Sequence, residues 1–305
     1  MSFSADVKNE LAAILPDKPC CRAAEAYGML EFGHAFNGQE ISLQTEQPAV
    51  AELYARLTVR VCGVQPPQAG TVRRRTLLQT RSFTDADDRQ RILEHFGHSV
   101  GDVSVRLNRA NIDCEHCACA LLRGAFLACG AITDPQHDYH LEFSVPYYNL
   151  SRDLTALLRE VGIQAKSVRR SGSYVVYLKE SERIEDCLTY LGASRASLEL
   201  MNVKMIKSIR NETNRRMNCD SANIDKTVAA AAVQTAAVRR IERQCGLSAL
   251  PEELQALARL RLDNPDMSLR ELGAVMQPPL TRSGVNHRLQ KLLAFADRLP
   301  PENTH

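Results

Sequence analysis

The chain of 305 residues contains no tryptophan, and aromatic residues make up only 5% of it. Proteins that bind single-stranded nucleic acid without sequence preference stack the bases on exposed rings, so this composition argues against that class. An excess of one charge is also lacking, because 38 Lys and Arg residues face 36 Asp and Glu residues, for a formal net charge of +2. Any affinity for nucleic acid must therefore come from local basic patches.

Long hydrophobic runs are absent too, and the first residues, MSFSADVKNELAAIL, mix polar and apolar side chains. They do not have the pattern of a signal peptide. We therefore expect a cytoplasmic protein without a membrane partner. In such a protein most of the ten cysteines should be reduced thiols. The length indicates two or three domains.

An internal repeat organises the first two thirds of the chain. AYGMLEFGH (26–34) aligns with LRGAFLACG (122–130), and two further pairs follow in the same order at nearly constant offsets. The further pairs are VCGVQ (61–65) with EVGIQ (160–164), and ILEHFG (92–97) with CLTYLG (187–192). Three ordered matches indicate a duplicated unit.

Each copy predicts the same elements. An alternating strand and a glycine-terminated helix are followed by more strands and a closing helix. This order predicts an α+β fold in which helices lie on antiparallel sheets. The first predicted strand of each copy is 40–45 or 139–145, and the helix after it is 50–62 or 150–161. The later strands lie near 72–83 in the first copy and around the SG turn at 171–172 in the second. The closing helices end near Gly97 and Gly192.

The stretch LLRGAFLACGAITD, Leu121 to Asp134, predicts a helix with Gly124 and Gly130 inside it. Each interior glycine costs a helix about 1 kcal/mol relative to alanine. Because AYGMLEFGH carries an equivalent glycine, we expect the two helices to cross closely at the centre of the duplicated domain.

These glycine helices resemble the motif helices of LAGLIDADG homing endonucleases. In that family an acid at the eighth motif position holds catalytic metal, but here those positions are Gly33 and Cys129. Hydrolysis of a phosphodiester with hard cations needs carboxylate ligands. Glu31 and Asp134 lie nearby but not at the matching positions. The resemblance implies a nuclease scaffold without nuclease chemistry.

The C-terminal third is predicted to contain only helices. TVAAAAVQTAAVRRIERQCG (227–246) is an alanine-rich helix, and a second helix is bounded by Pro251 and Asn264-Pro265. A capping box, Ser268 with Glu271, opens a third helix that Pro278-Pro279 ends. The last helix follows directly. Two short helices with a tight break predict a helix-turn-helix.

The last helix has two faces. Its apolar face predicts packing on the preceding helices through Val285, Leu289, Leu292 and Ala296. Asn and Gln can pair with adenine and Arg with guanine in the major groove, while flanking cations suit phosphates. The alternative is an ordinary solvated amphipathic helix. The predicted DNA-binding residues are Arg282, Ser283, Asn286, His287, Arg288, Gln290 and Lys291.

A second basic segment, VKMIKSIRNETNRRMN (203–218), indicates either a DNA-backbone contact or a surface between domains. The alternative is a solvated basic face. Arginines at 73–75 and at 169–170 occupy matching places in the two repeats and could line a concave sheet surface, or could be ordinary exposed strand ends. The candidate residues of the basic segment are Lys207, Arg210, Asn211, Asn214 and Arg215.

The motif CEHCAC supplies Cys114, Cys117 and Cys119, with the Cys-x-x-Cys spacing of half a zinc site. A closed site needs a second such pair, and adjacent Cys20-Cys21 lacks its spacing. We therefore predict free thiols, no metal site and no cofactor.

The whole chain resembles the WhiA family of bacterial DNA-binding regulators, which are linked to sporulation and cell division. The resemblance rests on SFSADVKNEL, LLRGAFLACGAITDPQHDYHLEF, RNETNRRMNCDSANIDKT and PPLTRSGVNHRLQKL. It implies a degenerate LAGLIDADG domain joined to a helix-turn-helix that is similar to the DNA-reading region of sigma factors. The expected parts are the first repeat (1–110), the second repeat (111–217), a helical connector (218–248) and the helix-turn-helix domain (249–305).

The implied function is sequence-specific, non-enzymatic regulation of genes for cell division, chromosome segregation or sporulation. The expected partner is double-stranded promoter DNA in the nucleoid, with RNA polymerase or another regulator as a further candidate. Two alternatives stay open: a residual metal-dependent endonuclease that uses displaced acids such as Glu31, and a protein-interaction scaffold with little DNA contact.

Overall fold

The computed structural model describes residues 2–73, 77–101 and 105–300. The chain divides into two compact units, Met1–Ser208 and Ile209–His305. This boundary lies inside the range expected for the second repeat, 111–217.

The first unit begins with α1 (Phe3–Ala12) and then repeats one order of elements twice: helix, strand, strand, helix, strand, strand, helix. The first copy consists of α2 (Pro19–Glu31), β1 (Ala35–Phe36), β2 (Ile41–Thr45), α3 (Pro48–Cys62), β3 (Gln68–Arg73), β4 (Leu77–Phe83) and α4 (Ala86–His95). The second copy consists of α5 (Cys117–Cys129), β5 (Gly130–Ile132), β6 (Leu141–Val145), α6 (Tyr148–Glu160), β7 (Lys166–Arg170), β8 (Ser173–Leu178) and α7 (Ser181–Leu191).

The two sheets have the same antiparallel topology, β1-β2-β4-β3 and β5-β6-β8-β7. The duplicated α+β fold is therefore confirmed. The predicted SG turn joins β7 to β8, and both of its residues have positive φ, 48° at Ser171 and 87° at Gly172. Such φ values match the twist of a tight hairpin. The short strands β1 and β5 were not predicted, because two or three residues carry too little alternation to be recognised.

Helices α2 and α5 cross at their glycines. A Cβ atom on Gly28 would lie 2.2 Å from the carbonyl oxygen of Leu121, and one on Gly124 would lie 2.3 Å from that of Glu25. The two backbones are in direct contact at equivalent points of the two copies, so the predicted close crossing is confirmed. It explains why the chain keeps a residue with poor helix propensity there.

The predicted helix Leu121–Asp134 is wrong at both ends. Helix α5 begins earlier, at Cys117, and stops at Cys129. Gly130 is not inside the helix, because its extended backbone (φ −79°, ψ 152°) starts β5 and pairs with Phe143.

A buried ion pair joins the two crossing helices. Arg123 Nε and Nη2 donate to Glu25 Oε1 and Oε2 at 2.9 and 3.1 Å, and Arg123 Nη1 also donates to the Leu191 carbonyl oxygen. Both side chains are almost fully buried. This bidentate geometry satisfies the charges that burial would otherwise penalise.

A single helix, α8 (Ser194–Cys245), runs from one unit into the other. The basic segment and most of the connector expected at 218–248 are therefore parts of one continuous helix, which ends at Cys245. The end of α8 contributes Val238 and Ile241 to the core of the second unit. Residues 208–230 of α8 are exposed.

The second unit adds α9 (Glu252–Asp263), α10 (Leu269–Val275) and α11 (Arg282–Asp297) to the end of α8. The capping box of Ser268 and Glu271 is present with both reciprocal hydrogen bonds. Gly273 of α10 admits the loop before α11, since a Cβ there would lie 2.3 Å from the Leu280 carbonyl oxygen. This tight turn places α11 against α9 and α10, as a helix-turn-helix requires.

Candidate nucleic-acid interface

Helix α11 has one buried face and one open face. The buried residues are the four that were predicted, Val285, Leu289, Leu292 and Ala296. Thr281 caps the helix by accepting from the Gly284 N–H. The open face is formed by the candidate residues, of which Arg288 is half-buried and the others are exposed: Arg282, Ser283, Asn286, His287, Gln290 and Lys291.

Arg282, Asn286 and Gln290 follow one another at helical spacing and line a groove of about 460 Å³. Helices α8, α9 and α10 form the other walls, where Lys226 and Arg270 are exposed cations. Among the described residues that line this groove there is no carboxylate. The groove therefore combines amide groups that can read base edges with cations that suit phosphates.

The other cations of the open face lie toward the start of α9. Lys291 Nζ is 3.0 Å from Glu253 Oε1, and Arg288 Nη1 donates to the Glu253 carbonyl oxygen at 3.3 Å. The Lys291 ammonium holds the pKa of the Glu253 carboxyl below its usual range, with smaller contributions from Arg288 and His287. The seven candidate residues are thus divided between two environments.

Sequence reasoning missed Lys226, Arg270 and Glu253. Arg270 could have been recognised as the single cation of the short helix α10. Lys226 and Glu253 carried no local signal, because their role depends on where α8 and α9 lie relative to α11.

The second basic segment is not uniform. Lys207 is held on the second repeat, where its Nζ donates to the Pro135 carbonyl oxygen at 2.8 Å and lies 5.0 Å from the centre of the Tyr139 ring. Arg210, Asn211, Asn214 and Arg215 are exposed on α8.

The edge strands β3 and β7 carry the matching arginines of the two repeats. Arg73, Arg169 and Arg170 are exposed on these strands. Arg74 and Arg75 lie outside the described residues.

The positions that would hold catalytic metal in a LAGLIDADG enzyme have different chemistry here. Burial raises the pKa of the Cys129 thiol to about 12, so it is neutral at physiological pH. The Lys8 ammonium interacts electrostatically with Cys129. A Cβ at Gly33 would lie 2.8 Å from the Ser42 carbonyl oxygen. The Glu31 side chain is buried, with its carboxylate 3.6 Å from His98 Nε2.

Four cysteines meet at the N-terminal ends of α2 and α5, and we call them the four-cysteine cluster: Cys20, Cys21, Cys114 and Cys117. All four sulfur atoms lie within 4.8 Å of one another. The adjacent pair Cys20-Cys21 lacks Cys-x-x-Cys spacing, but spacing along the chain did not predict which cysteines lie close together in the fold. The crossing of α2 and α5 brings the two pairs together across the repeat. The expectation of free thiols remains a prediction.

The thiols of this cluster differ in acidity. The backbone N–H of His116, together with neighbouring thiols, lowers the pKa of Cys114 to about 6, against the opposing effect of burial. Burial raises the pKa of Cys21 and that of Cys117. Cys114 is therefore more acidic than Cys21 and Cys117.

Within the described residues, no helix is both long enough and apolar enough to span a bilayer.

A duplicated LAGLIDADG-like domain followed by a helix-turn-helix defines the class to which this molecule belongs. Comparison with known proteins narrows the class. Residues 118–210 match the family model of the WhiA LAGLIDADG-like domain, and residues 213–296 match that of the WhiA C-terminal HTH domain.

Relatives cover the chain from end to end. It is 37% identical to "Probable cell division protein WhiA" of Heliobacterium modesticaldum, over 97% of this chain and 96% of that protein. It is also 37% identical to the protein of the same name in Desulforudis audaxviator, over 100% and 99%. The chain belongs to the WhiA family.

A solved structure supports the fold. The full-length DUF199/WhiA from Thermatoga maritima superposes with a TM-score of 0.60 at 22% identity, covering 99% of this chain and all of that one.

Proposed function

We propose that this protein is a sequence-specific DNA-binding regulator of genes for cell division, chromosome segregation or sporulation. Its relatives carry a cell-division name, and residues 213–296 of this chain match the model of the WhiA C-terminal HTH domain. The open face of α11 carries the proposal. Its apolar stripe is fully used in packing, while Arg282, Asn286 and Gln290 line a groove whose described walls hold no carboxylate. In a helix-turn-helix such a face enters the major groove.

The two sides of the open face differ in which part of the DNA they can contact. Asn286 and Gln290 have the amide groups that can pair with adenine, and Arg282 can pair with guanine or contact phosphate. Arg270 and Lys226 contact the DNA backbone from the other walls of the groove. His287, Ser283, Arg288 and Lys291 lie on the other side of the face, where Glu253 competes with phosphate for Lys291.

The protein acts without cutting DNA. In nucleases with this fold, the metal-binding acids stand at the positions of Gly33 and Cys129. Here the Cys129 thiol is neutral and interacts with Lys8, and the nearby Glu31 side chain is buried. A hard cation needs a pair of anionic oxygen ligands, which this set of side chains does not supply.

Residues Arg210, Asn211, Asn214 and Arg215 form a second DNA-backbone surface on the exposed part of α8. Lys207 has a different role, since its ammonium is engaged by Pro135 and Tyr139. RNA polymerase or another regulator is the further partner that fits the helix-turn-helix, and the protein acts in the nucleoid.

Selection from a random duplex library with the full-length protein tests this function. We expect enrichment of one motif, an affinity that falls steeply with salt, and loss of the motif with Arg282→Ala or Asn286→Ala. The matched control is Gln277→Ala, an exposed polar residue that does not line the groove. If the protein binds DNA but enriches no motif, it is a non-specific DNA binder. If it does not bind DNA, or its affinity for DNA does not change with salt, a protein-interaction scaffold is favoured.

A further inference from the structure

The four-cysteine cluster has the geometry of a metal site. Four sulfur–sulfur distances lie between 3.5 and 3.9 Å: Cys20–Cys114 at 3.7, Cys21–Cys114 at 3.5, Cys21–Cys117 at 3.9 and Cys114–Cys117 at 3.5 Å. A tetrahedral ion with zinc–sulfur bonds of about 2.3 Å has sulfur–sulfur edges of about 3.8 Å. Four of the six sulfur–sulfur edges therefore match such a tetrahedron, and the other two are no longer than 4.8 Å.

We propose that the four-cysteine cluster binds a single zinc ion in a closed structural site. Four sulfur ligands in tetrahedral arrangement select zinc or iron over hard cations such as magnesium. A cluster of two or four irons would hold its four thiolates farther apart, because the thiolates are divided among separate irons. The compact arrangement, with every pair within 4.8 Å, therefore fits one ion. This proposal departs from the expectation of free thiols, which rests on spacing along the chain.

The surroundings can support the negative charge of a zinc–tetrathiolate centre. Cys20 and Cys21 lie in the first turn of α2, and Cys117 is the first residue of α5, so two helix N-termini point their partial positive charge at the sulfurs. The His116 N–H donates to the Cys114 sulfur. Arg123 adds a cation that interacts with Cys21.

The site is both enclosed and reachable. Cys21 and Cys117 are buried, whereas Cys20 and Cys114 are half-buried. The imidazole of His116 is not a ligand, because it is mostly exposed and lies 3.3 Å from Glu115. A bound ion would join the two repeats at the N-terminal ends of their crossing helices, opposite the ends where Gly33 and Cys129 replace the nuclease acids.

Metal analysis of the tag-free, full-length protein, purified under reducing conditions, tests the proposal. We expect one zinc ion per chain, no iron, and a lower melting temperature after a strong chelator removes the zinc. Cobalt(II) added to the metal-free protein should give the visible and near-ultraviolet bands of a tetrahedral cobalt–tetrathiolate.

Cys117→Ser and Cys20→Ser should each lose the stoichiometric zinc and the tetrathiolate spectrum. Cys20→Ser, at a half-buried position, serves if Cys117→Ser does not fold. The matched control is Cys119→Ser, two residues farther along α5, because the Cys119 thiol donates to the Tyr190 carbonyl oxygen at 2.9 Å and a serine hydroxyl can do the same. This control should keep both the zinc and the spectrum.

Several results would overturn the proposal. They are a reduced protein that holds neither zinc nor cobalt, iron in place of zinc, a tetrathiolate spectrum that survives Cys20→Ser, and a thiol titration showing that the cluster cysteines form disulfides.

Discussion

Glu253 holds one of the cations on which DNA binding would depend. Lys291, placed by the sequence among the phosphate contacts, is paired with the Glu253 carboxylate in the free protein. Because both side chains are half-exposed, the pair is weak and phosphate can displace the carboxylate. At this scale, we expect single charges to set the affinity for DNA and the amides on α11 to set the preference for one DNA sequence.

Glu253→Gln should tighten binding to any duplex DNA, because it removes a negative charge and releases Lys291. We expect a few-fold gain in affinity, and the slope of log K against log salt should become steeper by about one. Fluorescence anisotropy over a salt series measures both. The control Glu252→Gln removes an equal charge from the adjacent residue without releasing Lys291. Equal changes in DNA affinity for the two substitutions would argue against a role for the Glu253–Lys291 ion pair.

Asn286→Ala should weaken binding to the selected motif by about 1–3 kcal/mol and leave binding to unrelated DNA unchanged. We expect the same direction for His287→Ala. Lys291→Ala should instead weaken all duplexes alike, because phosphate contacts carry no sequence information. Competition assays with cognate and scrambled duplexes separate these patterns. An unchanged preference in both Asn286→Ala and His287→Ala would mean that a different face of α11 reads the bases.

At the scale of elements, the crossing of α2 and α5 organises the first unit. Two glycines bring the backbones together, the Glu25–Arg123 pair is buried beside them, and the four-cysteine cluster lies at the N-terminal ends. All three features are shared between the copies, so neither repeat completes the crossing alone.

Gly124→Ala should destabilise the protein by about 1–3 kcal/mol, since its Cβ would lie 2.3 Å from the Glu25 carbonyl oxygen and the helices must separate. Its better helix propensity, about 1 kcal/mol, offsets only part of this. Urea denaturation measures the change. Gly101→Ala is the control, because apart from its neighbours in the chain no atom of the described residues lies within 4 Å of the place that its methyl group would take. An unchanged midpoint for Gly124→Ala would show that the crossing tolerates separation.

At the scale of the whole molecule, a nuclease-like unit and a helix-turn-helix unit share the long helix α8. The first unit has a LAGLIDADG-like architecture, but a neutral Cys129 thiol stands at a position where the related nucleases carry a metal-binding acid. The exposed polar face is at the other end of the chain, on α11. This distribution predicts binding without cleavage.

Supercoiled plasmid should therefore stay intact when it is saturated with the protein in the presence of magnesium or manganese. Gel electrophoresis detects a single nick per plasmid. Magnesium-dependent or manganese-dependent cutting that Glu31→Ala abolishes would establish the endonuclease instead.

Local patterns in the chain were sufficient for much of this architecture. The ordered repeat predicted two copies of one α+β unit, and the spacing of Val285, Leu289, Leu292 and Ala296 predicted the buried face of α11. Periodicity and glycine placement are properties of neighbouring residues, and backbone sterics convert them directly into helices, turns and faces. The ends of α5 and the continuity of α8 were not predicted from the sequence, because the ends of helices depend on tertiary contacts.

Only the tertiary structure decided which side chains meet. Cys21 and Cys114 are far apart in the chain yet their sulfurs lie 3.5 Å apart, since the crossing of α2 and α5 brings both helix starts together. Glu253 and Lys291 meet because α9 packs on α11. Such contacts depend on how helices dock, and a repeating local pattern contains no information on the partner across the interface. The sequence alone determined the scaffold and the two faces of the last helix, whereas the fold decided which thiols and charges lie together.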